Sequence, residues 1–147
     1  MSTTNVPSIY VIMRQNGKVA FLLRSQTGYK DDTYTLPAGH VEEGEGYRAA
    51  AIRESMEEVG VRIASQDLHH AYTLQRWEER NGDIRVDIFF EAKKWEGEPT
   101  NVEFPKHGEL AWFPENNLPL DKIMDYQADV LQAIARGEVY AERGWEE

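Results

Sequence analysis

The chain has 147 residues, 41% hydrophobic and 29% charged, with no cysteine and a formal net charge of −10, which is the size and composition of one globular domain able to bury its own core. Lack of cysteine excludes thiolate nucleophiles, cysteine-ligated zinc and disulfides, and the 26 acidic against 16 basic residues oppose non-specific binding to nucleic acid or anionic membranes, which needs a basic patch. No apolar run approaches the roughly 20 residues of a membrane span, and the opening MSTTNVPS lacks a signal-peptide pattern, so a single cytoplasmic domain over 1–147 is expected.

Taken in chain order, SIYVIMR and KVAFLLR are β-branched and aromatic runs joined by QNG. Asn-Gly is a strong hairpin signal because both residues tolerate positive φ, so 8–24 read as two paired strands. The polar SQTGYKDDTYT follows as a loop, and in LPAGHV Pro37 and Gly39 speak against a continuous element. A helix is expected over 45–59, ended by Gly60 in the left-handed conformation. At 100° per residue Ala49, Ile52, Met56 and Val59 form its core stripe, with Glu54, Glu57 and Glu58 opposite. Strands are expected over 69–79 and 84–92 around Asn81-Gly82, and at ELAWF, 109–113. The last helix, 121–136, places Ile123, Gln127, Val130, Leu131 and Ile134 on one face, with Asp121 and Gly137 as its caps. Hairpin, helix, hairpin, helix suits an α/β class with a mixed sheet of at least five strands and helices on both faces.

The stretch GHVEEGEGYRAAAIRESMEEVGV, 39–61, holds six glutamates and two arginines. Each like-charge pair at helical spacing costs about 0.2–0.5 kcal/mol, so the concentration needs a cause. Residues i, i+3 and i+4 are neighbours on a helix, which aims Glu54, Glu57 and Glu58 at nearly one point. Hard carboxylate oxygens there suit Mg²⁺ or Mn²⁺, whereas no zinc-like cluster of His and Cys exists. A solvated charged face is the competing reading. Against it, the helix has no Lys to offset the glutamates, and Arg53 sits beside Glu54 instead of on a ridge that would pair them.

Gly39, five residues, Glu45, seven residues, Arg53-Glu54, two residues, Glu57-Glu58, one residue, Gly60 and Val61 resembles the box of the Nudix hydrolases, G-x5-E-x7-R-E-U-x-E-E-x-G-U with U bulky and apolar. Every fixed position matches, and Ser55 is the one departure. The resemblance, MutT-like in element order, implies an α/β/α sandwich. It implies that Glu54, Glu57 and Glu58 ligate a divalent metal, with the Ala38 carbonyl as a further ligand and Mg²⁺ (or Mn²⁺) as cofactor. It makes Glu45 and Arg53 a supporting pair in which the arginine orients a ligating Glu. Families of this kind often recruit one more Glu before the last strand, and of Glu103 and Glu109 the latter is preferred here. The catalytic set so implied is Glu57, Arg53, Glu45 and Glu109, with Arg24 as a phosphate contact. His40 reads as structural, and Trp77, Phe89, Phe90 and Trp112 are candidates to stack on a base.

The implied activity is metal-dependent hydrolysis of a phosphoanhydride in a nucleoside diphosphate linked to another group. A nucleoside triphosphate, giving monophosphate and pyrophosphate, is preferred over an ADP-ribose-type nucleotide sugar or a non-catalytic nucleotide-binding module. Isopentenyl-diphosphate isomerase chemistry needs a cysteine, and messenger-RNA decapping suits a basic chain. The partner is then a nucleotide-type small molecule, and the sequence does not decide between a monomer and a homodimer.

Overall fold

The first strand, β1 (Asn5–Gln15), runs IYVIM through its middle without the alternation of a half-exposed strand, because both faces of the sheet around it are covered. Ile9, Val11 and Met13 enter one core with Ala50, Ala51 and Val59 of helix α1 (Tyr47–Val59), while Tyr10 and Ile12 enter a second with Ala128, Val130 and Leu131 of helix α2 (Asp125–Ala135). The computed structural model describes residues 4–25, 27–80, 82–103 and 107–145.

Among the described residues eight strands form the mixed sheet, and the expected α/β class with helices on both faces holds. After β1 come β2 (Lys18–Arg24), β3 (Tyr34–Thr35), β4 (Ala38–His40), β5 (His69–Glu78), β6 (Asp83–Ala92), β7 (His107–Pro114) and β8 (Tyr140–Arg143). The path is β3-β2-β1-β6-β5-β8, with β4 on β1 and β7 on β2. The first hairpin turns at Asn16 and Gly17, both at positive φ (54° and 75°), as the sequence required. β2 pairs with β1 only beside that turn, at Arg14↔Val19 and Gln15↔Lys18, and then diverges to take β3 and β7. The edge of β1 so released accepts β4, with Ser8↔His40 and Tyr10↔Ala38, while β6 runs parallel along the other edge. Of the second Asn-Gly turn, Asn81 lies outside the described residues and Gly82 has φ 70°.

Several expectations are corrected. The first helix starts at Tyr47, not Glu45, because Gly46 is extended (φ −76°, ψ 162°) and Glu45 closes a turn onto the Glu42 carbonyl at 3.0 Å. Its buried face is rotated from the expected stripe. Ala50, Ala51, Ser55, Glu58 and Val59 are buried, Ile52 is half-buried, and Ala49 and Met56 are exposed. Small side chains lie closest to the sheet, and Glu58 is drawn inward by a hydrogen bond described below. Gly60 ends the helix at φ 73°, donating to the Met56 carbonyl, as expected. The second helix starts at Asp125, not Asp121. Ile123 forms a bridge with Tyr34, and the Met124 N–H donates to the Tyr34 carbonyl at 3.0 Å, so pairing with β3 holds residues 123–124 extended and leaves only a 3₁₀ turn, Leu120–Lys122, before them. The short β3, β4 and β8 were not foreseen as strands.

Candidate active site

Arg53 is the hub of the box. From the exposed side of α1 its guanidinium takes Glu45 in a two-point fork, Nε to Oε2 at 2.8 Å and Nη2 to Oε1 at 3.0 Å. Nη2 also donates to the His40 carbonyl at 3.1 Å. Nη1 donates to Glu54 Oε1 at 2.8 Å and to Glu57 Oε2 at 3.3 Å. The expectation that Arg53 is not placed to pair with Glu54 is therefore corrected: the fork reaches back over its neighbour. One planar group thus ties α1 to the 42–45 turn and to β4, a geometry an ammonium cannot reproduce.

The three carboxylates have unlike settings. Glu57 is half-exposed, Glu54 is mostly covered, and Glu58 is 3% exposed, so its expected solvent-facing position is corrected. Glu58 Oε1 accepts the Ala38 N–H at 2.8 Å. Convergence of all three on one point is corrected too. Among the described residues no group of three acidic or histidine side chains is already gathered as an ion cage, because Arg53 draws Glu54 and Glu57 together while Glu58 turns to β4. Gly39 completes the arrangement: a Cβ there would stand 2.1 Å from Glu54 Cδ and 2.2 Å from its Oε1. The glycine is needed for that close approach, not for a left-handed backbone.

The charges are tuned accordingly. The Arg53 fork, with the Glu42 N–H, lowers the Glu45 carboxyl to about 2. Burial raises Glu54, the Arg53 hydrogen bond opposes the rise, and the charges of Glu57 and Glu103 add to it. The donor set is carboxylate oxygen throughout and carries more negative charge than Arg53 offsets, which fits a hard divalent cation.

The same β4 residues, Ala38, Gly39 and His40, line a cleft of about 410 Å³. Its sheet wall includes Tyr10, Arg76 and Arg85, and Tyr126 of α2 also lines it. Sequence reading missed this wall. Asp87 is fully buried in it, accepting from Arg76 Nε at 2.5 Å and from the Tyr10 hydroxyl at 3.2 Å. The Tyr10 and Tyr126 hydroxyls lie 3.0 Å apart, and the Arg76 guanidinium sits 3.9 Å over the Tyr126 ring. Burial raises the pKa of Tyr10, as it does that of Asp87, where Arg76 opposes it. The available signal was an acid in the apolar run VDIFF facing an arginine strand.

The remaining candidates are dispersed. Arg24 lines the cleft, but its Nε donates to the Tyr29 carbonyl at 2.9 Å and its Nη2 to Thr27 Oγ1 at 3.3 Å, which anchors the 27–31 loop. Glu109, on β7, accepts the Tyr34 hydroxyl, whereas Glu103 is near enough for its charge to act on Glu54. Phe89 and Phe90 are core residues, Trp112 stacks on Trp95 with ring centres 6.2 Å apart, and Trp77 lines a depression that adjoins the cleft at Arg76, Glu78 and Tyr126. His40 contributes its carbonyl to Arg53.

The chain is 31% identical over 111 residues to a Caenorhabditis elegans bis(5'-nucleosyl)-tetraphosphatase (asymmetrical), a match covering 76% of this chain and 64% of that protein's length. It is 26% identical over 97 residues to the 8-oxo-dGTP diphosphatase of Escherichia coli K12, covering 65% of this chain and 71% of the relative. In fold it is similar to a MutT NUDIX hydrolase from Burkholderia pseudomallei, with a TM-score of 0.78 at 22% identity, 88% of this chain and 97% of that one being covered. A MutT protein from Methanosarcina mazei Go1 gives 0.77 at 20% identity, over 93% and 97%. No helix among the described residues is long and apolar enough to cross a membrane. The NUDIX domain family model matches residues 4–134, and with the box and the sheet in place the chain belongs to that family.

Proposed function

We propose that the protein is a hydrolase of phosphoanhydrides in nucleotides, acting with a divalent cation, Mg²⁺ or Mn²⁺, on a nucleoside triphosphate to give the monophosphate and pyrophosphate. The observation that carries this reading is the Arg53 hub. It holds the box carboxylates against β4, whose other contacts line an open cleft of nucleotide dimensions. The relatives named as a tetraphosphatase and a diphosphatase support a substrate of this class.

Glu54, Glu57, Glu58 and the Ala38 carbonyl would hold the cation, which when bound polarises phosphoryl oxygens and lowers the pKa of a coordinated water. Arg53 and Glu45 fix the Glu54 and Glu57 carboxylates so that little reorganisation is left for the reaction itself. Gly39 lets Glu54 lie against the backbone beside the substrate. The attacking water gives its proton to a carboxylate as its oxygen bonds to phosphorus and pyrophosphate departs. Glu103, whose charge reaches Glu54, is the candidate for that base. A non-catalytic binding module would have no use for an intact set of carboxylates held in this way. The test is incubation with Mg²⁺ and a panel of nucleoside triphosphates, dinucleoside polyphosphates and nucleotide sugars, with both products identified. Metal-dependent release of pyrophosphate supports the reading, and no cleavage across the panel refutes it.

A further inference from the structure

The buried face of α2 is apolar except for Gln127, which is 1% exposed. A buried carboxamide is costly unless its oxygen and both N–H groups find partners, and here all three do. Its Oε1 accepts the Leu36 N–H at 2.8 Å, while its Nε2 donates to Thr35 Oγ1 at 2.9 Å and to the Tyr126 hydroxyl at 3.3 Å. The partners permit only this orientation. Thr35 gives its own proton to the Leu36 carbonyl at 3.0 Å. Tyr10 gives its proton to the Asp87 carboxylate at 3.2 Å, so Tyr126 is the donor in the 3.0 Å contact between the two phenols. Both oxygens that face Gln127 Nε2 are therefore acceptors. A row of hydrogen bonds runs from Gln127 through Tyr126 and Tyr10 to Asp87, which is itself held by Arg76.

The other side of Gln127 grips the chain just before the box. Two residues beyond Leu36 lies Ala38, whose N–H holds Glu58 at 2.8 Å and whose carbonyl is the cation ligand named above. Strand pairing is sparse here: β3 pairs over two residues and β4 over three, with Pro37 between them. We propose that Gln127 is a positioning residue for the reaction, fixing Thr35 and Leu36 so that Ala38 stays set against Glu58, with Tyr126, Tyr10 and Asp87 as its anchor in the sheet. Its catalytic meaning rests on the hydrolase reading above. A glutamine on the core face of a helix is otherwise a liability, and an apolar residue of the same size would fill the space without the bonds.

Two variants cut these bonds. Q127M keeps the volume and removes all three, and T35V exchanges one hydroxyl for a methyl, so it serves if Q127M does not fold. V130A is the control, because Val130 is buried on the same helix face and its truncation loosens α2 without touching the row. Amide hydrogen exchange of the metal-free proteins reads the position of Ala38, whose N–H none of the substitutions removes. Relative to amides of the β5–β6 pairing, Ala38 should exchange up to about tenfold faster in Q127M and T35V, the effect of one lost hydrogen bond, and no faster in V130A. Mn²⁺ affinity, followed by electron paramagnetic resonance, should fall about tenfold in the same two variants, and kcat for a nucleoside triphosphate should fall with it. Unchanged Ala38 exchange or unchanged Mn²⁺ affinity in both variants, or equal losses in V130A, would overturn the proposal. Nucleotide cleavage indifferent to Q127M and T35V would leave the hydrolase reading standing and remove this one. Faster Ala38 exchange with weaker Mn²⁺ binding, in a protein that cleaves no nucleotide, would do the reverse.

Discussion

Replacing Gly39 by Ala isolates the packing that sets the position of Glu54. The added methyl would begin 2.1 Å from Glu54 Cδ, whereas ordinary carbon contact is about 3.5 Å, so the carboxylate must retreat by roughly 1.4 Å. Gly39 does not have the left-handed φ that would strain an alanine backbone, and the long Glu54 side chain can move, so the fold should survive. What is lost is the 2.8 Å bond from Arg53 Nη1 to Glu54, a charge-assisted contact worth about 1.5–3 kcal/mol, together with the placement of one ligand oxygen. Losses of supporting contacts at metal sites cost about 10–100-fold, and G39A should fall in that range for turnover and for the Mg²⁺ concentration giving half activity. Gly46 is the control, since a Cβ there meets nothing within 4 Å. Steady-state kinetics over a Mg²⁺ series, with a thermal melt of each variant, make the comparison. G39A within about twofold of wild type, well short of the usual loss, would refute the claim that this close approach positions Glu54.

Three further outcomes follow from the same geometry. R53K keeps the charge but cannot reproduce a fork shared among Glu45, Glu54, Glu57 and the His40 carbonyl, so turnover should drop about 10–100-fold and stay low at high salt; recovery with salt would mean that Arg53 acts only by charge. Ser55 is fully buried and its Oγ has no hydrogen-bond partner among the described residues, so S55A should stabilise by about 1 kcal/mol, and a lower Tm would show that the hydroxyl is satisfied. The Glu45 carboxyl is depressed from 4.5 to about 2 by Arg53. A depressed acid contributes stability above its ordinary pKa and loses it as pH falls through the folded value, so the Tm gap between wild type and E45Q should be constant above about pH 4.5 and close toward pH 2, and a gap independent of pH would contradict the pairing.

The box was legible because its chemistry is local: helical spacing puts Glu54 and Glu57 within reach of Arg53, and Gly60 marks the end. The cleft was not legible, because Tyr10, Arg76, Arg85 and Tyr126 come from four separate elements. The three strand residues meet only through the parallel β1–β6 register and the antiparallel β5–β6 pairing, and Tyr126 joins them from α2, none of which a local pattern specifies. The rotation of α1 was missed for a related reason. Apolarity favoured Met56, but the sheet admits only small side chains close to α1, and Glu58 is carried inward by the Ala38 N–H, a partner twenty residues away. Likewise the start of α2 is set by Tyr34, which holds residues 123–124 extended against local helix signals. The element order gave helices on both faces of the sheet without saying which helix covers which face.

The central claim is that the α1 carboxylates, held by Arg53 and Gly39, bind the divalent cation that drives cleavage. Mn²⁺ titration followed by electron paramagnetic resonance, paired with turnover on the same samples, tests it most directly for wild type and E57Q. Wild type should bind Mn²⁺ and cleave a nucleoside triphosphate to monophosphate and pyrophosphate, while E57Q, folded to the same Tm within a few degrees, should lose Mn²⁺ affinity and turnover together by about tenfold or more. Full cleavage in excess chelator, or unaltered Mn²⁺ binding and turnover in E57Q, would contradict it.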